Sequence, residues 1–205
     1  MSDATNTERY RQQHKLRLSY MPWLYARLKP VQRAWAQAWQ DEWQAYLRGM
    51  ETVVIGKNCF IAPEARLFAE PGRPIIIGDN TYIAADCVIH GPITLGQNIS
   101  INHHVSLDGG RKGIHIGDNT RIAAYSYAYA FNHGMDKDEP IKDQPVTSVG
   151  IQIGSDVWIG ANTGIVDGVV IGDHAVIGMG SIVTRSISPF CKVAGNPAKP
   201  IGERT

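Results

Sequence analysis

Hydrophobic positions along this chain follow two rhythms. Over residues 21–50, Trp35, Trp39, Trp43, Tyr46 and Leu47 recur at helical spacing, with Gln, Asp and Arg on the other face. Pro30 divides that stretch, since a proline removes one helical hydrogen bond and clashes with the preceding turn. A shorter helix is expected before it and a longer one after it. From Ile55 onward the period is six. Over residues 153–183 an aliphatic residue stands at 153, 159, 165, 171, 177 and 183, and glycine follows it in four of the five complete hexads. The fifth position of each hexad is small or short-branched: Val157, Thr163, Val169, Ala175 and Ser181. A period of six fits neither the 3.6 of a helix nor the two of a strand. It fits a three-sided solenoid in which each hexad supplies one strand and one turn, and three hexads close one coil. The glycine is expected to relieve the turn, where a Cβ would crowd the backbone.

The coils can be followed by their first aliphatic residues, at 55, 77, 95, 116, 153 and 171, which differ by 22, 18, 21, 37 and 18. Against an uninterrupted 18, the excesses place four extra residues near 70–74, three near 109–111 and 19 between 128 and 153. Six coils at a strand spacing of about 4.8 Å give a prism roughly 25–30 Å tall. The expected fold is therefore mainly β: a parallel β-helix of about six coils over residues 51–190, with a loop at about 131–150. A helical segment at 1–50 precedes it and a short tail at 191–205 follows. Residues 1–19 are polar and are expected to be frayed. The helical segment is expected to cap the open first coil, to contact a neighbouring subunit, or to lie on a membrane surface.

Composition narrows the function at its edges. Lys and Arg number 20 against 19 for Asp and Glu, so overall charge gives no argument for nucleic acid. No apolar run approaches the roughly 18–20 residues that span a bilayer. The opening MSDATNTERYRQQHK lacks an apolar signal core, so a cytoplasmic location is expected. The three cysteines form no metal or redox spacing, and Cys59 and Cys87 fall at the inward fifth position as packing thiols. One local asymmetry stands out: Arg9, Arg11, Lys15, Arg17, Arg27, Lys29 and Arg33 precede Trp35, against only Asp3 and Glu8. Cations beside aromatics suit an anionic membrane surface, so peripheral contact through residues 9–47 is a further expectation.

The large excursion contains the candidate base. Counting hexads from Ala128 makes His133 a sixth residue that projects outward at a corner, and Trp158 is a sixth residue in the first hexad after the loop. Histidine is the side chain that changes charge near neutral pH, which suits general-base work.

Four pieces of sequence then carry a resemblance: NHG at 132–134, IGSDVWIGAN at 153–162, IVDGVVIGDHAVIGMGSIVT at 165–184 and VAGNPAK at 193–199. In order and separation they resemble the hexapeptide-repeat acetyltransferases, above all the sugar O-acetyltransferases of the maltose, galactoside and nodulation type. The resemblance implies a left-handed parallel β-helix, an exception to the right-handed crossover rule. It implies a homotrimer with acetyl-CoA between neighbouring prisms and active sites between subunits. His133 matches the family's general base, which deprotonates an acceptor hydroxyl for direct attack on the thioester. Ala161 matches the backbone donor to the oxyanion. Trp158, Ala161, Met179, Ser181, Thr184 and Lys199 match cofactor-contacting positions, with Lys199 offering a cation to the nucleotide phosphates. Asn102 and Asp108, in INHHVSLDGG, are expected to contact the acceptor. No metal is expected.

The chain also departs from the family. Met179 stands where a small residue is usual, and residues 1–50 have no counterpart of the family's short acceptor-binding segment. The group orienting His133 stays open among Asp136, Asp138, Glu139 and Asp143. Three other readings remain: an acetyltransferase for serine, an antibiotic or an amino-sugar amine; a non-catalytic assembly prism; and a zinc enzyme like the γ-type carbonic anhydrases. The last would draw on His90, His103, His104, His115 and His133, with His115 and His133 stacked one coil apart.

Overall fold

The structure, a computed structural model, describes residues 3–205, with side chains from Thr7 onward. Three faces of parallel strands form a prism of six coils. The first face runs through Val53–Ile55, Ile75–Ile77, Ile93–Leu95, Ile114–Ile116, Ile151–Ile153 and Val170–Ile171. The second runs from Phe60–Ile61 to Val176–Ile177, and the third from Arg66–Phe68 to Ile182–Val183. Pairing aligns Ile55 with Ile77, Ile77 with Leu95, Leu95 with Ile116, Ile116 with Ile153 and Ile153 with Ile171. This is the register expected from the hexads, and even the weak Ala128 lies between Leu107 and Ile165. The inward aliphatic residues form one continuous core, with Cys59 at 2% and Cys87 at 0% exposure among them.

The turns divide their labour differently from the sequence expectation. Left-handed φ falls on the fourth residue of the hexad, at Asn58, Asn80, Asn98, Asn119, Asp156 and Asn162 among others, with φ from 54° to 62°. Asn and Asp tolerate that conformation best after glycine. The second-position glycines do a separate job. A Cβ on Gly160 would lie 2.5 Å from the Met179 nitrogen one coil on, so glycine there permits the coils to stack closely. The sixth position also differs from expectation: Trp158 stands within the strand Trp158–Ile159, facing out from the second face and not at a corner.

Two corners are bolted by side chains. At the first, Asp79, Asp118 and Asp173 accept the backbone N–H of Lys57, Gln97 and Ser155 in the preceding coil, at 2.7, 2.9 and 2.7 Å. Buried hydroxyls at the fifth position serve the same purpose. Thr120 donates to the Gly154 carbonyl and accepts from Val157, while Ser126 donates to the Gly160 carbonyl. The third corner has no such hydroxyl, its fifth positions being Ile93, Ile114, Ile151, Val169 and Ile187. All three insertions leave the prism there.

The N-terminal segment is more ordered than expected. Helix α1 covers Asp3–Tyr20, where fraying was anticipated; residues 1 and 2 lie outside the described residues. Its last turn anchors it: Leu18 is buried, the Ser19 carbonyl accepts the Ala85 N–H at 2.7 Å, and the Tyr20 hydroxyl donates to Asp86 at 2.7 Å. A short 3₁₀ turn, Pro22–Arg27, leads to helix α2, Pro30–Met50, with Pro30 as its first residue. The buried face of α2 is Ala36, Gln40, Gln44 and Leu47, so two glutamines lie on the side assigned to the aromatics. The reason is the exposed strand edge of the first coil. Gln40 accepts the Ile61 N–H at 2.9 Å and donates to the Ile61 carbonyl at 3.1 Å, while Gln44 donates to the Cys59 carbonyl at 3.0 Å. These amides stand in for the coil that is not there. At the other end, residues 191–205 fold as a hairpin: Cys191–Ala194 adds to the second face in parallel, and Lys199–Glu203 returns antiparallel.

Replacing Gln40 by Leu keeps the volume and strands two buried backbone groups. It should lower unfolding free energy by about 2–4 kcal/mol in urea denaturation. A loss no larger than that of the exposed substitution Gln12→Ala would overturn the edge-pairing role.

Candidate active site

All three insertions meet in one place. Residues 70–74, 109–111 and the long excursion wall a pocket of about 440 Å³ lined by Arg73, His90, Asp108, Arg111, Phe131 and Ser148, among others. Its floor is a row of charged side chains on the third face. Strand pairing sets His90 beside Asp108, and the His90 ring bridges two carboxylates: Nδ1 lies 3.1 Å from Asp108 Oδ2, Nε2 3.0 Å from Glu70 Oε1. Arg73 reaches both carboxylates loosely, at 3.9 Å from Glu70 and 3.7 Å from Asp108, while its Nε donates to the Gly91 carbonyl at 2.8 Å. The second oxygen of Asp108 accepts the Gly110 N–H at 2.9 Å. Asp108 is thus pinned from three sides. The Glu70 carboxyl is held below its ordinary value, first by its own backbone N–H, then by His90 and Arg73.

His133 does not continue the prism. The hexad count ends at Ala130, and Asn132–His133 leaves the coil to pair antiparallel with Val146–Thr147, His133 opposite Val146. Directly opposed residues of a hairpin share a face, as do residues two apart. His133, Val146 and Phe131 therefore project together, and the Phe131 and His133 rings meet edge to face at 6.1 Å. Val146 and Phe131 line the pocket, and His133 stands exposed beside them at its margin. The His133 ring nitrogens have no hydrogen-bond partner among the described residues, so none of Asp136, Asp138, Glu139 or Asp143 orients it. Asp136 instead accepts the Asp138 N–H, and Asp143 pairs with Lys142. The hairpin is fastened by Asp167, which accepts the N–H of Val149 and Gly150, and by Gln144, folded inside the excursion.

Ala161, Met179, Ser181 and Asn102 lie at the second corner, across the third face, while Trp158 stands on the second-face strand before it and Thr184 follows the third-face strand Ile182–Val183. Ala161 turns that corner; its carbonyl accepts the Gly180 N–H at 2.8 Å, and its own N–H has no acceptor among the described residues. Trp158 and Met179 beside it are 57% and 74% exposed, large apolar surfaces left in solvent. Thr184 and Lys199 are exposed, Lys199 on the terminal hairpin. Ser181 is fully buried, its hydroxyl donating to the Gly178 carbonyl and accepting the Gly195 N–H, which removes that hydroxyl from the ligand-facing set. Asn102 sits at the same corner two coils earlier and accepts the His103 N–H. Within one chain Asp108 lies in the insertion pocket and Asn102 at the Ala161 corner, the two on the order of 15–20 Å apart across one face of the prism.

Comparison with known proteins places this arrangement. Residues 150–185 match the family described as bacterial transferase hexapeptide (six repeats), and residues 74–102 match the hexapeptide repeat of succinyl-transferase. A putative lipopolysaccharide biosynthesis O-acetyl transferase, WbbJ of Escherichia coli, is 31% identical over 162 residues, covering 73% of this chain and 82% of WbbJ. The chain belongs to the hexapeptide-repeat acetyltransferases. Within this family, the galactoside O-acetyltransferase of E. coli is 32% identical over 73% of this chain and 63% of its own length. A solved N-acyltransferase, AntD of Bacillus cereus in complex with dTDP and 3-hydroxybutyryl-CoA, is 30% identical with a TM-score of 0.70, covering 79% of this chain and 88% of that one. The chain spans 51% and 63% of the length of the first curated relatives it matches.

The zinc reading finds no geometry. His115 lies within a first-face strand and His133 on the hairpin, so they do not stack. His103 and His104 both sit in one turn, their Nδ1 atoms 3.0 Å apart. Among the described residues no group of three or more His, Cys, Asp and Glu side chains is placed to hold a metal ion.

The depressed Glu70 carboxyl gives a pH prediction. A group whose folded pKa is lowered contributes stability above its unfolded value and loses it as pH falls through the folded value. The urea midpoints of wild type and Glu70→Gln should therefore differ most at neutral pH and converge in acid. A difference independent of pH would overturn the Glu70–His90 link.

Proposed function

We propose that this chain is an acetyl-CoA-dependent O-acetyltransferase that modifies a sugar hydroxyl, working as a homotrimer with His133 as general base. One observation carries the reading: the unpaired His133 neighbours Phe131 and Val146, which line a pocket to which every insertion in the prism contributes. The split of the site supports the trimer, since a neighbouring prism could bring its Ala161 corner to the His133 of this one. The exposed Trp158 and Met179 would then be covered by cofactor and subunit together, with Thr184 and Lys199 at the cofactor's outer end.

The chemistry follows from these groups. The acceptor O–H gives its proton to the free His133 nitrogen as the oxygen forms a bond to the thioester carbonyl carbon. The carbonyl electron pair moves onto oxygen, where the unpartnered Ala161 N–H donates to it. Collapse expels the CoA thiolate, which takes the proton back from the His133 imidazolium. No acyl-enzyme forms. Similarity to the putative lipopolysaccharide O-acetyl transferase WbbJ and to the galactoside O-acetyltransferase supports a sugar hydroxyl, and AntD, solved also with dTDP-4-amino-4,6-dideoxyglucose, supports a sugar amine as the second reading.

Thiol release from acetyl-CoA should depend on an added sugar or amino sugar. His133→Ala should lower kcat by about 10²- to 10⁴-fold while CoA binding and fold persist. Release that survives the substitution would remove His133 as the base.

Exposed Tyr10, Leu16, Trp23 and Val31 on the N-terminal segment, among Arg9, Arg11 and Arg27, support a peripheral contact with an anionic membrane. No helix among the described residues is long and apolar enough to cross one. Co-sedimentation with anionic but not neutral vesicles is expected; no difference between the two would overturn the contact.

A further inference from the structure

The charged side chains of the pocket are not all engaged with one another. Asp108 is engaged by His90, Arg73 and the Gly110 N–H, and Glu70 by His90 and Arg73. Both carboxylates are thus occupied within the pocket wall. Arg111 is not. It lines the pocket, and its guanidinium forms no ion pair or hydrogen bond among the described residues.

The backbone beneath that guanidinium is fixed in advance. The N–H groups of Arg111 and Lys112 both donate to Ser148 Oγ, at 3.1 and 3.0 Å, and Ser148 in turn donates to the Ala130 carbonyl at 2.6 Å. The Gly113 N–H closes the turn onto the Gly109 carbonyl at 2.7 Å. Gly110 has φ 55°, and a Cβ there would lie 2.3 Å from the Ala130 oxygen, so the turn is seated against the start of the long excursion. Ser148 and Ala130 belong to the excursion that carries His133. The turn that carries the free cation and the hairpin that carries the candidate base are therefore fixed to the same piece of structure.

From this we infer, resting on the acyltransferase reading above, that the acceptor is an anionic sugar whose phosphate or carboxylate is taken by Arg111. A guanidinium presents paired donors that match either group. The pocket, at about 440 Å³, has room for a monosaccharide carrying such a group. Phe131 offers the sugar an apolar wall beside the His133 ring. An acceptor held this way has its anionic group at Arg111 and a hydroxyl toward His133.

The test compares a neutral hexose, the same hexose as its phosphate, and the corresponding uronic acid as acceptors in thiol release from acetyl-CoA. Wild type should favour an anionic acceptor over the neutral hexose by about 10- to 100-fold in kcat/KM, mostly through KM. Arg111→Ala should collapse that ratio to near unity, and Arg111→Lys should recover part of it. The preferred anionic acceptor distinguishes phosphate from carboxylate. Equal use of neutral and anionic sugars, or a preference that survives Arg111→Ala, would overturn the inference and leave the acyltransferase reading standing. Calorimetry with the hexose phosphate and the uronic acid separates the two ideas further. Binding that requires Arg111, without thiol release by wild type, would support the anion site at Arg111 and sink the acyl transfer on which the acceptor role rests. No binding of either in calorimetry, together with no release, would overturn both.

Discussion

Each coil must offer its backbone N–H and C=O groups to the next at a single strand spacing, and everything else in this molecule answers to that demand. It fixes the length of the uninterrupted coil, forces glycine wherever a Cβ would meet the coil above, and admits only small or branched residues inside. It also makes an unpaired coil edge costly, because the orphaned groups have no water to turn to. Gln40 and Gln44 meet that cost at one end with side-chain amides. Aromatic residues of the same helix pack around them and exclude solvent.

The same demand decides where function can be added. Two corners are locked from coil to coil by carboxylates and buried hydroxyls, and an insertion there would break bonds on both sides. At the third corner the inward fifth positions are aliphatic, so an excursion there breaks no buried hydroxyl bridge, and the excursion supplies its own fasteners in Asp167 and Ser148. Successive excursions at one corner fall above one another, so their side chains converge. The pocket is a product of that geometry. Its charged floor needs only the ordinary strand register to bring His90 against Asp108.

Much of this was legible in the sequence, for physical reasons. A hexad is a strong signal because it repeats, and the pairing of Ile55 with Ile77 or Ile116 with Ile153 follows from counting alone. The count failed where the repeat stopped. Past Ala130 nothing periodic remained to show that His133 would leave on an antiparallel pair. Gln40 read as a surface residue because polarity along a helix says nothing about an unpaired strand edge waiting opposite. Ser181 matched a motif, but its burial reflects the hydroxyl bridges of the corner. Glu70, Arg73 and Arg111 were missed, and His90 was read only as a zinc ligand, although a signal existed: every insertion follows the third hexad of its coil, which already assigns the insertions to one corner.

The closing hairpin has a meaning beyond the site. Cys191–Ala194 continues the second face in the same sense as the coils, and Lys199–Glu203 then reverses direction, with Arg204 tied to Asp156 at 2.9 Å. A reversed strand cannot template a further parallel coil, and Pro200 lacks one of the donors such a coil would need. With an amide-bearing helix at one end and a reversed strand at the other, the number of coils is set by the ends and not by the repeat. Whole 18-residue modules are therefore the natural unit by which such a chain lengthens or shortens in descent. The ends stay the same while the height of the prism changes in steps of one strand spacing.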